Sequence, residues 1–204
     1  SAIETALRLR KEVRSTALAI DDETLVHATM AGLNCYACHR RGEHGGPEAA
    51  RDAIFQTKIA EMGWEGRLPP PLDGVGDKLK PSYLTDVFAS GANERSYMMT
   101  RMPGFGAGNL NLMHQSLTRL DRPKTDNATS SADQQPSKSE LNDGRKLVGA
   151  SGLSCIKCHS YNDINAGGLG AIDLLTMPKR LRADWFHRYL QDPTKYRPGT
   201  RMPN

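Results

Sequence analysis

The sequence predicts an all-α protein built as two related units in tandem. Three observations carry this. Cys-x-x-Cys-His occurs twice, at residues 35–39 and 155–159. Thr-Arg-Met-Pro also occurs twice, at 100–103 and 200–203. Between the two motifs of each copy lies a short stretch whose apolar residues recur at helical spacing. The chain's 204 residues are enough for one large domain or two small ones.

The elements follow in chain order. Residues 1–20 read as an N-terminal helix, with Ile3, Ala6, Val13, Ala17 and Ile20 on one side. The first unit spans 21–120, and Asp21 or Asp22 supplies the cap of its opening helix. In PSYLTDVFASG (81–91), Tyr83, Leu84, Val87 and Phe88 form one face of a short helix. Leu110, Met113, Leu117 and Leu120 mark a closing helix. Residues 121–143 are polar, lack aromatics and read as a flexible linker. As a coil this stretch spans about 26 Å and leaves the geometry of the two units free. Within it, Ser137-x-x-Glu140 has the form of a capping box opening the helix before the second Cys-x-x-Cys-His.

The second unit, 144–204, repeats the first. Ala31-Gly32-Leu33-Asn34 precedes the first motif and Ser151-Gly152-Leu153-Ser154 the second, at an offset of 120. Trp185, Phe186, Tyr189 and Leu190 in ADWFHRYLQDP (183–193) match the aromatic helix at an offset of 102. The Thr-Arg-Met-Pro copies are offset by 100. The drift places a longer loop in the first unit, within 40–66.

Composition narrows the function. No stretch approaches the roughly 18 apolar residues of a membrane span. The chain carries a net charge of +4, concentrated in 144–204, where ten Lys/Arg face four Asp/Glu. Lys179, Arg180, Arg182, Arg188, Lys195, Arg197 and Arg201 form no continuous run, which argues against a nucleic-acid interface. Gly74-Val75-Gly76 is a lone Gly-x-Gly, too weak to mark a phosphate site. The carboxylates form no paired constellation.

All four cysteines lie in the two Cys-x-x-Cys-His motifs, the attachment signature of c-type haem. Two thiols three positions apart can add to the two vinyl groups on one haem edge. The adjacent histidine then lies under the ring, where its imidazole can ligate iron. A thioredoxin-like pair would be single and lack the histidine. A Cys₄ zinc site would join pairs 120 residues apart and idle both histidines. A disulfide within Cys-x-x-Cys is strained. Two haem c groups are expected, on Cys35, Cys38 and His39 and on Cys155, Cys158 and His159.

Each Thr-Arg-Met-Pro follows its motif by a loop, an aromatic helix and a turn. Met102 and Met202 are therefore the candidate sixth ligands of iron. A thioether is a soft, neutral donor that favours Fe(II) and raises the potential. The following proline stops any helix and fixes the backbone there. Methionine is more often a core gap-filler, and Met98, Met99 and Met177 compete; the repeated context selects 102 and 202. The free histidines, His27, His44, His114 and His187, are the alternative sixth ligands.

These residues resemble class I cytochrome c: Cys-x-x-Cys-His, then Pro71-Leu72-Asp73-Gly74-Val75-Gly76, an aromatic helix and Met-Pro. The ordering DGVGDKLKPSYL…TRMP is most similar to the c-type domains of planctomycete bacteria, and two in tandem resemble the dihaem c4-type carriers. The resemblance covers about 22–120 and 139–204. It implies two class I cytochrome c-like domains, each packed around a covalently attached haem c, a periplasmic or otherwise extracytoplasmic location, and electron transfer. It also implies that a proline carbonyl accepts the ligand histidine's second N–H, a role that falls to Pro71. The second copy has no Pro-Leu and no closing helix after Met202. Truncation, or cover by another helix such as 1–20, is expected there.

The function expected is a dihaem electron carrier, or the electron-transfer module of a larger assembly. Redox protein partners are expected, acidic ones docking on the basic second domain. The alternative is a dihaem peroxidase-like enzyme, which needs one open iron site and a nearby acid/base group.

Overall fold

The structure, a computed structural model, describes residues 20–123 and 135–203. Apart from Ile20, the helix expected over 1–20 lies outside the described residues. The described chain is all-α in character, with a single two-residue ladder of β1 (Arg40–Arg41) and β2 (His44–Gly45). No described helix is long and apolar enough to cross a membrane.

Among the described residues, the first half holds five α-helices. Helix α1 (Asp22–Gly32) starts where the Asp21 carboxylate accepts the N–H of Thr24. Helix α2 (Gly63–Arg67) follows in the long loop. Helices α3 (Val75–Lys78), α4 (Pro81–Ser90) and α5 (Ala107–Asp121) complete the half. Proline at the first position of α4 costs no hydrogen bond there. Helices α1, α3 and α4 pack on α5. Their shared core is Val26, Met30, Val75, Leu84, Val87, Phe88, Leu110, Met113 and Leu117. Leu120, expected on the buried face of α5, is exposed. It lies in the last turn, one residue before the helix ends at Asp121.

Gly76 is where α3 meets α5. A β-carbon at this position would lie 2.1 Å from the Leu117 carbonyl oxygen. The Gly76 N–H donates to Asp121 at 2.8 Å, and Arg41 grips the same carboxylate at 2.7 Å. The glycine of Gly-x-Gly thus serves helix packing.

The second half opens with α6 (Lys138–Val148), whose capping box has both bonds: the Glu140 N–H to Ser137 Oγ (3.2 Å) and the Ser137 N–H to Glu140 Oε2 (2.7 Å). Residues 138–143, assigned to a flexible linker, are therefore helical. The rest of that linker, 124–134, lies outside the described residues. Three short helices follow the second motif: α7 (Met177–Arg180), α8 (Ala183–Gln191) and α9 (Pro193–Tyr196). Trp185 stacks on Tyr189 at 4.8 Å, and Tyr196 meets both edge-on.

The halves meet along a seam that pairs one segment with its own repeat. Leu79 bridges to Leu181. The Lys80 N–H donates to Arg180 O (2.9 Å) and the Arg182 N–H to Lys78 O (3.0 Å). Residues 78–80 and 180–182 stand at the 102-residue offset, so the pairing is reciprocal, the pattern of a two-fold contact inside one chain. Side chains obey the same rule. The Lys78 ammonium lies 4.9 Å from the Trp185 ring and the Arg180 guanidinium 5.5 Å from the Tyr83 ring. Ion pairs add to the seam: Arg188 with Asp77 (2.7 Å), Arg122 with Asp184 (3.1 Å) and Arg197 with Glu65 (2.8 Å). Met62, Tyr97 and Met98 pack on Leu169, Ala171 and Ile172. The geometry left free by a coiled linker is thus set by this contact.

Candidate functional site

The two Cys-x-x-Cys-His motifs fold alike. Each begins on a left-handed residue, Asn34 (φ 57°) and Ser154 (φ 56°). Each continues as a 3₁₀ turn, Cys35–Ala37 and Cys155–Lys157. In each, the second cysteine and the histidine both donate their N–H to the first cysteine's carbonyl, at 3.1 and 2.8 Å in the first and 3.1 and 2.9 Å in the second. The left-handed step costs roughly 1–2 kcal/mol in a residue with a β-carbon, and asparagine tolerates it best. All four thiols are free and half-buried.

Each histidine is aimed by a main-chain carbonyl. His39 Nδ1–H donates to Pro70 O at 2.7 Å, and His159 Nδ1–H to Ile172 O at 2.6 Å. A carbonyl only accepts, so Nδ1 carries the proton and Nε2 keeps its lone pair. Burial pushes the His39 pKa down, with the Pro70 bond opposing and the Arg95 charge adding, so the neutral, ligating form is favoured. The acceptor is Pro70, and this corrects Pro71, which the sequence nominated. In the second copy, Ile172 does the same with no proline.

The acceptor segments are tied back to their motifs. Leu72 N–H donates to Arg40 O (2.8 Å), and Arg41 to Leu72 O (2.7 Å). In the second copy Ala171 N–H donates to Cys158 O (2.8 Å) and Leu174 N–H to Ser160 O (3.0 Å). Each imidazole is thus fixed within a closed set of backbone bonds.

The methionines differ in their settings. Met102 packs against the first-half core, as do Cys35, Tyr36 and Leu72, and its backbone bridges to Ala92. Met202 stands after Thr200, whose hydroxyl accepts the Met202 N–H (3.3 Å) and donates to Glu65 (3.1 Å). Of the free histidines, His27 is bonded through Nδ1 to the Tyr36 hydroxyl and meets His44 edge-on at 4.6 Å. His187 is exposed on α8 and His114 half-buried on α5.

Among the described residues no three His, Cys, Asp or Glu side chains converge as a metal-holding group. An iron whose equatorial ligands come from a porphyrin needs only two protein donors. The donor set here, paired free thiols with an imidazole presenting Nε2, fits such a group. Comparison with family models, with curated proteins and with solved structures gave no match.

Sequence reasoning missed the seam. Lys78 and Arg95 come to it from the first half, Arg180 and Arg197 from the second. Burial, with Arg95, Arg197 and Arg180 around it, pushes the Lys78 pKa down to about 7. Burial and the same neighbours bring Arg95 to about 10. Arg95 Nη1 and Arg180 Nε are buried without a hydrogen-bond partner. The signal was present: Lys78 and Arg180, like Arg95 and Arg197, stand at the 102-residue offset. The seam also redirects the basic residues assigned to docking. Arg188 and Arg197 are spent on Asp77 and Glu65, while Lys179, Lys195 and Arg201 remain exposed.

Proposed function

We propose that the protein is a dihaem c-type cytochrome, two class I cytochrome c-like units in tandem. It passes electrons between redox partners, as a carrier or as the electron-transfer module of a larger assembly, in an extracytoplasmic compartment. One observation carries the reading: two separate Cys-x-x-Cys-His motifs share one backbone geometry, and each aims its histidine by a carbonyl bond to Nδ1.

Cys35 and Cys38 would hold one haem through thioether bonds, and Cys155 and Cys158 the other. His39 and His159 would supply one axial nitrogen each, Met102 and Met202 the opposing sulfur. The group supplies an Fe(III)/Fe(II) couple when bound. The chain's part is to fix the ligands and exclude rearrangement. Pro70 and Ile172 lock each ring's tautomer and orientation, and Pro103 and Pro203 stiffen the backbone beside each sulfur. Exposed Lys179, Lys195 and Arg201 favour an acidic partner.

The experiment is an intact mass and an absorption spectrum of protein matured in a host competent for c-type cytochromes. Two covalent haems and a Soret band are expected. A mass equal to the bare chain would end the reading.

A further inference from the structure

The two halves bring more positive charge to the seam than the chain neutralises there. Lys78 and Arg95 come from the first half, Arg180 and Arg197 from the second, and their charges act on one another. Two carboxylates reach the group. Glu65 pairs with Arg197 Nε at 2.8 Å, and its charge extends to Lys78 and Arg95. Glu94 acts on the Tyr83 hydroxyl, as Arg180 does. Among the described residues, cations outnumber carboxylates four to two in this group. Elsewhere on the seam the chain supplies its own partners: Asp77 meets Arg188 at 2.7 Å and Asp184 meets Arg122 at 3.1 Å.

The unmatched cations also lack acceptors. Arg95 Nη1 and Arg180 Nε, one from each half, are buried without a hydrogen-bond partner. The Lys78 ammonium faces the Trp185 ring at 4.9 Å, and no carboxylate among the described residues pairs with it. Burial, and then the neighbouring cations, hold Lys78 at about 7 and Arg95 at about 10, even with Glu65 opposing. A buried donor without an acceptor costs its full desolvation. Unpaired buried charge costs more. A guanidinium presents its N–H groups as a planar fork that fits a carboxylate or a phosphate.

We propose that the seam is an anion site: Arg95 and Lys78 from one half and Arg180 from the other take a single carboxylate or phosphate group between them, and that group ties the halves together. It would supply the acceptors that both guanidiniums lack and would turn a repulsive cluster into a contact. Two sources carry this chemistry. One is a propionate carboxylate of the first haem, since the Arg95 charge also reaches His39; this source rests on the dihaem reading above. The other is a free oxyanion such as inorganic phosphate.

The test compares denaturant midpoints of the full-length holoprotein with those of Arg95→Gln and Arg180→Gln, in chloride at fixed ionic strength. If an anion is held, each variant loses a donor to it and its midpoint falls. If the cluster is bare, each variant relieves repulsion and its midpoint rises, which overturns the proposal. Two further measurements separate the sources. Exchange of chloride for inorganic phosphate at constant ionic strength should raise the wild-type midpoint with the logarithm of phosphate concentration if the anion is free, and should leave the variants unmoved. If the anion belongs to the haem, phosphate has no effect, and the propionate bending band in the resonance Raman spectrum shifts in Arg95→Gln. An equal response to phosphate in wild type and variants overturns the proposal. So does no response together with an unshifted band, whatever the midpoints do. Should Arg95→Gln fail to fold, Arg95→Lys, which keeps the charge and loses the fork, is read in its place. An intact mass without haem removes the dihaem reading separately, and the phosphate series then decides the site alone.

Discussion

Replacing Gly76 by alanine tests the close approach of α3 to α5 that closes the first half. The new β-carbon would lie 2.1 Å from Leu117 O, 2.3 Å from its carbonyl carbon and 2.6 Å from Thr118 N. All three are main-chain atoms of a helix, so no side chain can swing away. Overpacking of this kind costs roughly 1–3 kcal/mol. Moving α3 also pulls the Gly76 N–H from Asp121, whose side chain is 7% exposed. A hydrogen bond to a charged group is worth about 1.5–3 kcal/mol. Alanine returns about 1 kcal/mol of helix propensity. The net loss is about 1.5–5 kcal/mol, or roughly 3–20 °C in Tm for a chain of this size. Denaturant unfolding followed by circular dichroism measures it. Gly144→Ala is the control, since Gly144 sits inside α6 with nothing within 4 Å of its β-carbon. That variant should gain up to about 1 kcal/mol. A Gly76→Ala midpoint equal to or above the wild type would refute the packing argument.

Other outcomes follow from the same geometry. Gly152→Ala should lose about 1–3 kcal/mol, because its β-carbon would meet Lys146 O at 2.4 Å, whereas Gly32→Ala at the matching sequence position meets nothing and should be neutral or better; parallel denaturant curves compare them. Hydrogen bonds from Arg119 and Ser116 hold the Asp22 carboxyl down to about 2. This lies below the unfolded value of about 3.9, so the stabilisation is present above about pH 4 and is lost as pH falls towards 2. Asp22→Asn should therefore unfold more readily than the wild type at pH 6 and match it near pH 2, as denaturation midpoints across pH would show. On the dihaem reading, the reduced wild type should take up carbon monoxide slowly, while Met102→Ala should take it up rapidly at one centre only. Rapid uptake by the wild type would favour the peroxidase-like alternative.

Side-chain chemistry was legible in the sequence and backbone chemistry was not. The Ser137–Glu140 capping box reads directly because it needs two particular side chains three positions apart. The face of α4 reads from helical spacing, and that of α8 only in part, since Trp185 is buried while Leu190 is exposed. The histidine acceptors did not. Any residue carries a carbonyl, so nothing marks Pro70 over Pro71, and nothing marks Ile172 at all. The likeness of Gly32 to Gly152 was misleading for a related reason. In the first copy α1 runs through Gly32; in the second, α6 stops at Val148 and the chain folds back, with Leu153 N–H on Leu147 O at 2.7 Å. The same Gly-Leu pair serves two backbone paths.

A duplicated sequence that packs against its own repeat sets like charges against one another at the seam. Reciprocal pairing of 78–80 with 180–182 sets Leu79 on its own repeat Leu181 and the basic residues on either side of it close to their counterparts. Like charges therefore meet like charges: Lys78 comes to lie near Arg180, and Arg95 near Arg197. Such a contact is repulsive by construction, and no change made equally in both copies of one position can relieve it without altering both centres. An insertion escapes this bind. The loop within 40–66 exists in one copy only, so a carboxylate placed on it enters the seam once. Glu65 pairs with Arg197 at 2.8 Å, and its charge also reaches Arg95 and Lys78, so one carboxylate offsets cations from both copies.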